Sequence, residues 1–493
     1  MKSWLVILFV LYFSFSVKGQ NKYDYTWIAG TDNSDASIGT EATIIDFGVV
    51  PPVLTYQGTS SPQSLLALGE ICDRNTGRLL FYSNGCVVFD STHHIMANGD
   101  SINFGIYWKN YCIGEKYLYY PNVFSVMALP NSYINNEYYL IHQMEARDLE
   151  KIIHKPLLYS TIKFDENSPN GRVVKKNAAF YDEDTAAGFF TSMKHANKKD
   201  WWIMHLEARS NKYLKFLLDS TGIHLHDSQI IGDSIKGHHA QSQFSPDGKK
   251  YAWFNKETGL HLFDFDRATG ALSNYRSLII EQQPSIGGLC FSPNSRFLYV
   301  FDITNAYQID LWQTDLNEAY EKIGSYNPGS EGSPYKDLMF GMLGPNCKIY
   351  IASKLGSSHF STIESPDEKG AACNFQALGL KLIYSSGGGG VPNLPHYRVD
   401  EPYPCDRTLG NVWQLPEIVD FSIAPNPVSD QITITPPAKG LLSIYDLSGK
   451  SVYQQMQEDN SEVVIDVSPF PPGHYIVIFE EKHKVHRGEF VKI

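Results

Sequence analysis

The chain of 493 residues has little charge, few cysteines and a single long hydrophobic run. Charged residues make up 19% and hydrophobic residues 43%, a composition that excludes a disordered or coiled-coil protein. The 53 acidic residues outnumber the 41 Lys and Arg residues and give a net charge of −12. Because an acidic surface repels phosphate groups and anionic lipid headgroups, the charge predicts no nucleic-acid partner and no docking on anionic membranes.

The hydrophobic run lies at the N-terminus. It extends from Trp4 to Val17, follows the basic start Met1-Lys2, and is too short to cross a bilayer comfortably. Val17 and Gly19, at the −3 and −1 positions before Gln20, are small or uncharged as signal peptidase requires, so we predict that residues 1–19 are a secretory signal cleaved between Gly19 and Gln20. An uncleaved anchor is the alternative. No later run approaches about 18 apolar residues, so no transmembrane segment is predicted after removal of the signal.

Seven cysteines are spread irregularly along the chain, and no C-x-x-C pair occurs. This pattern argues against a disulfide scaffold and against a structural zinc site. The nearest partners on loop-rich segments are Cys72 with Cys86 and Cys373 with Cys405. The alternative is that most of the cysteines are small buried hydrophobic residues.

The common catalytic and cofactor motifs are missing. The sequence contains no G-x-S-x-G nucleophile elbow, no H-E-x-x-H zinc helix and no G-x-x-x-x-G-K-[ST] phosphate loop. Its noticeable histidine groups are His93-His94, His195, His205, His224/His226 and His238-His239. None has a third ligand at a predictable spacing, so we predict neither a metal site nor a cofactor. The Asp- and Gly-rich turns 73–77 and 245–248 lack the later Glu of a calcium loop and are predicted to be hairpin turns.

Short β-rich runs recur along most of the chain. The middles of six such runs are Phe81, Leu140, Ile203, Trp253, Tyr299 and Tyr350. They are separated by 59, 63, 50, 46 and 51 residues, with hairpin turns and no helical spacers between them. A period near 50 with several strands per unit is typical of β-propeller blades, which bury both faces of each sheet by radial stacking. Segments 22–47 and 371–397 remain, and we expect them to join as one further blade. Seven blades are predicted, with six and eight as alternatives.

The composition changes between about 385 and 420. Four glycines, Gly387–Gly390, and five prolines interrupt regular structure there. Beyond them, apolar residues alternate as they do in half-buried strands. We therefore predict an all-β protein with a propeller over residues 20–398, a linker over 399–420 and a small antiparallel sandwich over 421–493.

The C-terminal segment resembles the type A sorting domain of the type IX secretion system of the Bacteroidota. The resemblance rests on the opening Pro425-Asn426-Pro427, on "LLSIYDLSGKSVYQ" (441–454), on "IDVSPFPPGHYIVIF" (465–479) and on the terminal "GEFVKI". The matching motif residues are Pro425, Asn426, Pro427, Asp446, Gly449, Lys450, Gly473 and Tyr475. The resemblance implies passage through the periplasm, recognition by the outer-membrane export apparatus, and a final location at the cell surface or in the medium.

The N-terminal region resembles a propeller-like (WD40-like) family that accompanies such sorting domains. The motifs are "GRLLFYSNGCVVFDSTHHIMANG" (77–99), "MKHANKKDWWIMH" (193–205), and "CNFQALGLKL" followed by "GGVPNLPHYR" (373–398). The resemblance implies architecture and export context and conveys no activity. Lys198 replaces the usual glycine of the His-Ala-Asn-Gly turn, so a different backbone is expected there.

One cluster combines polar and aromatic residues: His195, Asn197, Asp200, Trp201 and Trp202. Aromatic faces beside amide and carboxylate groups suit sugar rings, so these residues are the candidate ligand-binding site. The alternative, which the sequence favours, is a hairpin turn whose two indoles pack on two neighbouring blades. The predicted function is a binding or adhesion scaffold for a glycan or a protein. The alternatives are a polysaccharide hydrolase or lyase with a site at the propeller mouth, and a structural surface or gliding component.

Overall fold

The computed structural model describes residues 21–29, 42–49, 51–57, 67–113, 120, 122, 124–148, 151–235, 239–255, 257–280, 287–326, 337–353, 357–386, 390–401, 417–420, 423–435, 440–446, 451–457, 459, 461–481 and 484–493. The chain divides into two compact units, residues 1–406 and 407–493. The division lies inside the segment 399–420 that the composition indicates as a linker. No helix among the described residues is long and apolar enough to cross a membrane.

The first unit contains a succession of antiparallel sheets, which we number in chain order. Sheet 1 contains β1 (Thr26–Ala29), β2 (Ala42–Asp46) and β3 (Val53–Gln57), and sheet 2 contains β4 (Gly69–Cys72), β5 (Leu79–Ser83) and β6 (Val88–Asp90). Helix α1 (Ile106–Tyr111) follows. Sheet 3 is formed by β7 (Val126–Pro130), β8 (Glu137–Gln143), β11 (Leu157–Asp165) and β12 (Ser168–Tyr181), and the hairpin of β9 (Ala146–Asp148) and β10 (Lys151–His154) is inserted within it.

The next four sheets continue the pattern. β13 (Ala187–Gly188) precedes sheet 4, which contains β14 (Thr191–Lys194), β15 (Trp201–Leu206), β16 (Lys212–Asp219) and β17 (Gly222–Ile230). Sheet 5 contains β18 (His239–Phe244), β19 (Lys250–Asn255), β20 (Gly259–Phe265) and β21 (Leu272–Leu278), with β13 added in parallel to β18. Sheet 6 contains β22 (Gly288–Phe291), β23 (Phe297–Phe301), β24 (Asn305–Asp310) and β25 (Tyr320–Ser325), with helix α2 (Leu316–Ala319) before β25. Sheet 7 contains β26 (Phe340–Leu343), β27 (Ile349–Ala352), β28 (Ser357–Ile363) and β29 (Phe375–Ser386), with a 3-10 turn at Gly370–Cys373.

The predicted repeat corresponds to the second strands of sheets 2 to 7. The residues concerned are Phe81, Leu140, Ile203, Trp253, Tyr299 and Tyr350, and all six are buried. A side chain in the middle of a second strand packs against both neighbouring strands and an adjacent sheet, which is why apolar residues recur at this position.

Neighbouring sheets meet through their first strands. β1 contacts β4, β4 contacts β7, β14 contacts β18, β18 contacts β22, and β22 contacts β26. The two ends also meet, because β29 of sheet 7 contacts β2 and β3 of sheet 1. The first unit is therefore an all-β, propeller-like fold. The described residues contain seven such sheets, and seven blades stays the prediction that they favour.

The expected joint blade of segments 22–47 and 371–397 is wrong. The β1 and β2 strands pair with each other and with β3, whereas β29 is the outer strand of sheet 7. The two segments touch side by side: the Thr43 hydroxyl donates to the Tyr384 carbonyl at 3.2 Å and accepts from the Tyr384 N–H at 3.0 Å. The strands of each segment pair with other strands of their own sheet, so the two segments do not form one sheet together.

The expected cysteine pairs are also wrong. The disulfide joins Cys86 to Cys112, whereas Cys72 and Cys373 are buried free thiols. Cys72 ends the first strand of sheet 2 and Cys86 follows the second, so the two residues lie at opposite ends of the sheet despite their closeness in sequence. Cys347 is also disulfide-bonded. Cys405 lies outside the described residues.

The second unit is a small β-sandwich. Its larger sheet has the order β30 (Glu417–Asp420), β36 (Lys484–Lys492), β35 (Gly473–Glu481), β32 (Gly440–Asp446), β33 (Ser451–Gln457), and its smaller sheet pairs β31 (Gln431–Ile434) with β34 (Val463–Asp466). Apolar side chains of β31, β32, β34, β35 and β36 form one buried cluster. β30 runs parallel to β36, so the larger sheet is mixed and departs from the purely antiparallel prediction.

Candidate functional site

The two ends of the sheets carry different strand connections. The connections between first and second strands, and between third and fourth strands, are joined from sheet to sheet by hydrogen bonds. Examples are Asp247 N–H to Ser295 Oγ at 3.1 Å and Ala196 N–H to the Arg267 carbonyl at 3.1 Å. We call this end the turn face. The opposite end carries the connections from one sheet to the next, and we call it the linking face.

The sequence-predicted ligand site lies on the turn face, in the connection between β14 and β15. Its polar residues bond to one another: Asn197 Nδ2 donates to Asp200 Oδ2 at 2.6 Å, and Asn197 Oδ1 accepts from the Asp200 N–H at 3.0 Å. The Nδ1 atom of His195 accepts from the Asn197 N–H at 3.0 Å. These bonds form the side-chain-closed turn that Asn and Asp favour between two strands.

The two indoles of this site are buried. Trp201 is 1% exposed and packs edge-on against Tyr397, while Trp202 is 2% exposed and donates its N–H to the Arg267 carbonyl at 2.8 Å. They belong to two different hydrophobic clusters. The geometry matches the packing alternative, with alternate indoles on opposite faces of the strand, and neither ring offers a face to a ligand.

Lys198 has a backbone conformation that glycine adopts without strain. Its φ angle is +65°, in the left-handed region, and its N–H donates to the His195 carbonyl at 2.9 Å. The expectation of a different backbone at this turn stays a prediction. The turn's internal hydrogen bonds hold a lysine where glycine would be unstrained.

Residues 390–401 run along the line where the first strands converge, and we call them the axial segment. Asn393 donates through Nδ2 to the carbonyls of Val126 at 3.2 Å and Phe190 at 3.3 Å, and its N–H donates to the Leu68 carbonyl at 2.8 Å. Those carbonyls belong to the starts of sheets 3, 4 and 2. The Tyr397 hydroxyl donates to the Ala128 carbonyl at 2.9 Å, further along β7.

The axial segment ends at the turn face with two ion pairs. Arg398 and Asp24 are both buried, and the Arg398 Nη2 donates to Asp24 Oδ2 at 2.6 Å. Arg267 donates to Asp400 through both terminal nitrogens, with Nη1 to Oδ1 at 2.8 Å. The segment therefore bonds to residues at or next to the first strands of sheets 2, 3 and 4, and to Asp24 and Arg267 at the turn face.

The linking face of sheet 4 carries a charged cleft of about 490 Å³. Its lining residues are Tyr181, Glu183, Asp184, Glu207, Ala208, Arg209 and Lys212. Lys212 donates to Glu207 at 2.8 Å, and Asp184 lies 3.7 Å from both Lys155 and Arg209. Within the described residues no group of three His, Cys, Asp or Glu side chains could hold a metal ion. Most of the residues that line the cleft are charged.

An exposed tryptophan stands on the turn face. Trp312 follows β24 and is 75% exposed, in contrast to Trp27, Trp201, Trp202 and Trp253, which are buried. The guanidinium of Arg296 lies 4.1 Å from the centre of its indole ring. An indole backed by a cation on one side keeps a flat apolar surface toward solvent.

The support beneath Trp312 is fixed by a two-pronged ion pair. Arg296 donates to Asp310 through Nε at 3.1 Å and Nη2 at 2.8 Å. Asp310 Oδ1 also accepts from the backbone N–H of Trp312 at 3.2 Å. These hydrogen bonds from Arg296 hold the pKa of Asp310 below its ordinary value of 3.8. Arg276 Nη1 donates to the next carbonyl, that of Gln313, at 3.1 Å. The carboxylate thus positions both the guanidinium and the backbone that carries the indole.

A second exposed aromatic residue shares the turn face. Tyr133, between β7 and β8, is 43% exposed, and its hydroxyl donates to Asp200 Oδ1 at 2.5 Å. This bond raises the pKa of Tyr133 to about 12, so the phenol stays protonated at neutral pH. Asp200 of the predicted site therefore orients a surface tyrosine that the sequence reading missed.

Sequence reasoning also missed Trp312. The residue follows directly after an apolar alternating strand, in "IDLWQTD" (309–315), and a tryptophan just beyond a strand end is the signal that could have found it. The doublet Trp201-Trp202 is the more conspicuous aromatic signal, but both residues lie within β15, and neighbouring sheets cover the residues of such a strand.

The motif residues of the C-terminal unit lie in its loops and at strand ends. Pro425, Asn426 and Pro427 form an exposed loop, Asp446 ends β32, and Gly473 begins β35. The Tyr475 hydroxyl donates to the Pro471 carbonyl at 2.7 Å, and its ring stacks on Phe490. Gly449 and Lys450 lie outside the described residues, as do Gly19 and Gln20.

Residues 422–492 match the family model of the secretion system C-terminal sorting domain. The chain carries a type IX sorting domain. A chain with this sorting domain is exported to the cell surface or the medium, and the type IX apparatus handles it. No curated protein has a significant match to the chain.

Solved structures similar to the chain share little sequence with it. One is a putative 6-phosphogluconolactonase from Bacteroides uniformis, with 12% identity, a TM-score of 0.42, and coverage of 75% of this chain and 98% of that one. Another is the β-propeller domain of Cps50 (Swd1) from Myceliophteria thermophila, with 8% identity, a TM-score of 0.36, and coverage of 68% and 95%. A third is Sqt1 from Chaetomium thermophilum, solved with the N-terminus of ribosomal protein L10, with 12% identity, a TM-score of 0.36, and coverage of 75% and 91%.

Proposed function

We propose that the propeller-like unit is an exported binding scaffold whose turn face holds a glycan, with Trp312 as the stacking platform. The observation that carries this proposal is the 75% exposure of an indole whose inner side is backed by Arg296. Exposing so large an apolar ring has no benefit for folding, whereas a sugar ring laid on it removes apolar surface of both partners from water.

Rigid support favours binding at this position. The Arg296–Asp310 pair fixes the guanidinium under the indole before any ligand arrives, so little side-chain freedom is lost on binding. The residue after Trp312 supplies a carbonyl, that of Gln313, which accepts a hydrogen bond from Arg276. A carbonyl and a guanidinium are hydrogen-bonding groups of the kind that sugar hydroxyls use. A protein ligand is the alternative occupant, because exposed Trp residues also anchor protein interfaces.

The test is retention of the full chain on a panel of insoluble polysaccharides. We expect Trp312→Ala to weaken retention at least tenfold, about 1.4 kcal/mol, while Trp312→Phe keeps part of it. Ile279→Ala is the matched control, since Ile279 is 60% exposed and apolar but not aromatic. The glycan-platform proposal would be contradicted if Trp312→Ala were retained as well as the parent chain on every polysaccharide that binds the parent chain.

A second candidate function is the hydrolysis or elimination of an extracellular polysaccharide in the charged cleft. The observation that favours it is the meeting of Glu183, Asp184 and Glu207 in one cleft. The same incubations distinguish the two functions if released reducing ends are measured. Release that Glu207→Gln abolishes and Trp312→Ala leaves unchanged would support the enzyme, whereas retention without release would support the scaffold. The third class, a structural surface component, would show neither.

A further inference from the structure

The loop that opens the sorting domain lies along an edge of its last strand. β36 pairs with β35 on one edge over its whole length, but on the other edge β30 covers only residues 484–487. Beyond Arg487, Val428 pairs with this edge of β36. Its N–H donates to the Val491 carbonyl at 2.9 Å, and its carbonyl accepts from the Ile493 N–H at 2.9 Å. This is one step of a parallel ladder, with Val428 facing Lys492.

The side chain of Asn426 supplies the preceding step of the same ladder. In a parallel pair, a residue bonds to the carbonyl before and the N–H after the residue it faces. Residue 426 in this register would face Phe490 and would bond to the Glu489 carbonyl and the Val491 N–H. The Asn426 carboxamide makes these two bonds: Nδ2 donates to the Glu489 carbonyl at 3.1 Å, and Oδ1 accepts from the Val491 N–H at 2.9 Å.

The flanking residues explain why a side chain takes this role. Pro425 and Pro427 stand on either side of Asn426. Proline has no N–H and a fixed φ, so the backbone here does not continue as a regular ladder strand. A primary carboxamide has the same donor and acceptor as a peptide group. Asparagine between two prolines therefore covers an edge that the backbone leaves open.

The same loop ties the two sheets of the sandwich together. The Ala424 carbonyl accepts from the Thr433 N–H of β31 at 2.8 Å, while Asn426 and Val428 hold β36. The final residues of the chain are thus fastened to the smaller sheet through five residues of loop, 424–428. An uncovered edge at 488–493 would be free to fray or to pair with a foreign strand.

We propose that Asn426 is a positioning residue for sorting, which holds the last strand closed in the form that the export apparatus recognises. The proposal rests on the sorting-domain match and is independent of the glycan platform. It also assigns a physical task to the central residue of the Pro-Asn-Pro motif.

Three variants of the full chain test it. Asn426→Ala removes both bonds, and Asn426→Asp keeps the acceptor for the Val491 N–H but loses the donor to the Glu489 carbonyl at neutral pH. Gln431→Ala is the matched control, because it removes an exposed carboxamide from β31 of the same domain. Asn426 is exposed and lies outside the apolar cluster, so all three variants keep the core of the domain.

Two measurements are made on each variant: hydrogen exchange of the C-terminal peptide 484–493, and the fraction of chain exported by cells that carry the type IX system. We expect Asn426→Ala to speed exchange about five- to tenfold, as loss of two exposed hydrogen bonds implies, and to lower export several-fold. Asn426→Asp is expected to lie between the alanine variant and the parent chain. Acidification toward pH 4 should bring its protection closer to that of the parent, because a protonated carboxyl regains a donor. Gln431→Ala should change neither measurement.

Three results would overturn the proposal. Faster exchange with unchanged export would mean that the closed strand is not what the apparatus reads. Reduced export with unchanged exchange would mean that Asn426 contacts the apparatus directly. Increased export would mean that the open strand is the recognised form.

Discussion

Lys198 shows how a single residue can be held against its own preference. A non-glycine residue in the left-handed region costs about 1 kcal/mol or more, and φ at Lys198 is +65°. The bonds between His195, Asn197 and Asp200 fix the turn regardless. The residue pattern predicts the turn, and the structure shows that position 198 lies in the φ region where glycine would be unstrained.

Replacing this lysine by glycine should stabilise the protein. We expect Lys198→Gly to raise the free energy of unfolding by about 0.5–1 kcal/mol, since the relief of strain exceeds the added entropy of the unfolded chain. Thermal unfolding of the full chain measures it. Lys199→Gly is the matched control, because Lys199 does not have a positive φ and its replacement should lower stability. A fall in the unfolding midpoint for both variants would contradict the assignment of strain.

At the scale of elements, the axial segment bonds to residues of sheet 3 and to residues next to strands of sheets 1, 2, 4 and 5. Its glycine- and proline-rich sequence indicated the exit from the domain, and part of it, 399–401, was placed in the linker. Val399, at the predicted start of the linker, is a buried residue of the first unit, and so are Asn393, Tyr397 and Arg398, which the sequence assigns to the propeller. Their partners are 203 to 377 residues away in sequence. Local sequence patterns do not encode hydrogen bonds between residues so far apart, so the periodicity could not predict them.

Asn393 should be important for stability. Asn393→Ala leaves buried carbonyls at Val126 and Phe190 without their donor, which we expect to cost about 1–3 kcal/mol of unfolding free energy. Chemical denaturation of the full chain measures the loss. Asn167→Ala, at an exposed turn between β11 and β12, is the control and should cost much less. Similar small effects of the two substitutions would show that the axial segment does not hold the sheets together.

At the scale of the whole molecule, buried histidines make stability depend on pH. Burial lowers the pKa of His142 to about 3 and those of His205 and His261 to about 4. In the unfolded chain the same groups titrate near 6.5. The unfolded state therefore binds more protons below pH 6.5, and this contribution to stability is full above that pH and is lost progressively as the pH falls toward 4 and below.

We expect the thermal unfolding midpoint to fall as the pH is lowered from 6.5 to 4. Replacing His142 with glutamine, whose amide can still bond to Asn103 and Ser160 but does not titrate, should flatten this dependence. His224→Gln is the control, since that side chain is half exposed. An unchanged slope in the His142→Gln variant would contradict the assignment.

Export should require the second unit. Deleting residues 421–493 removes the segment that matches the sorting-domain family, so we expect the remaining chain to accumulate in the periplasm and to be absent from the surface and the medium. Fractionation of the secreting cells, with the full chain as control, measures this. Continued export of the truncated chain would refute the sorting role.

Sequence alone determined the features that local physics encodes. Alternating apolar residues, turn residues and a period near 50 residues indicated the strands and the six repeat residues at their middles, and the Pro-Asn-Pro and Pro-Gly-x-Tyr motifs carried the resemblance to the sorting domain. Tertiary structure decided which cysteines pair, which indole faces water, and which distant residues the axial segment bonds to. These outcomes depend on groups brought together from distant parts of the chain, and their energies come from burial and hydrogen bonds that exist only once the sheets have packed.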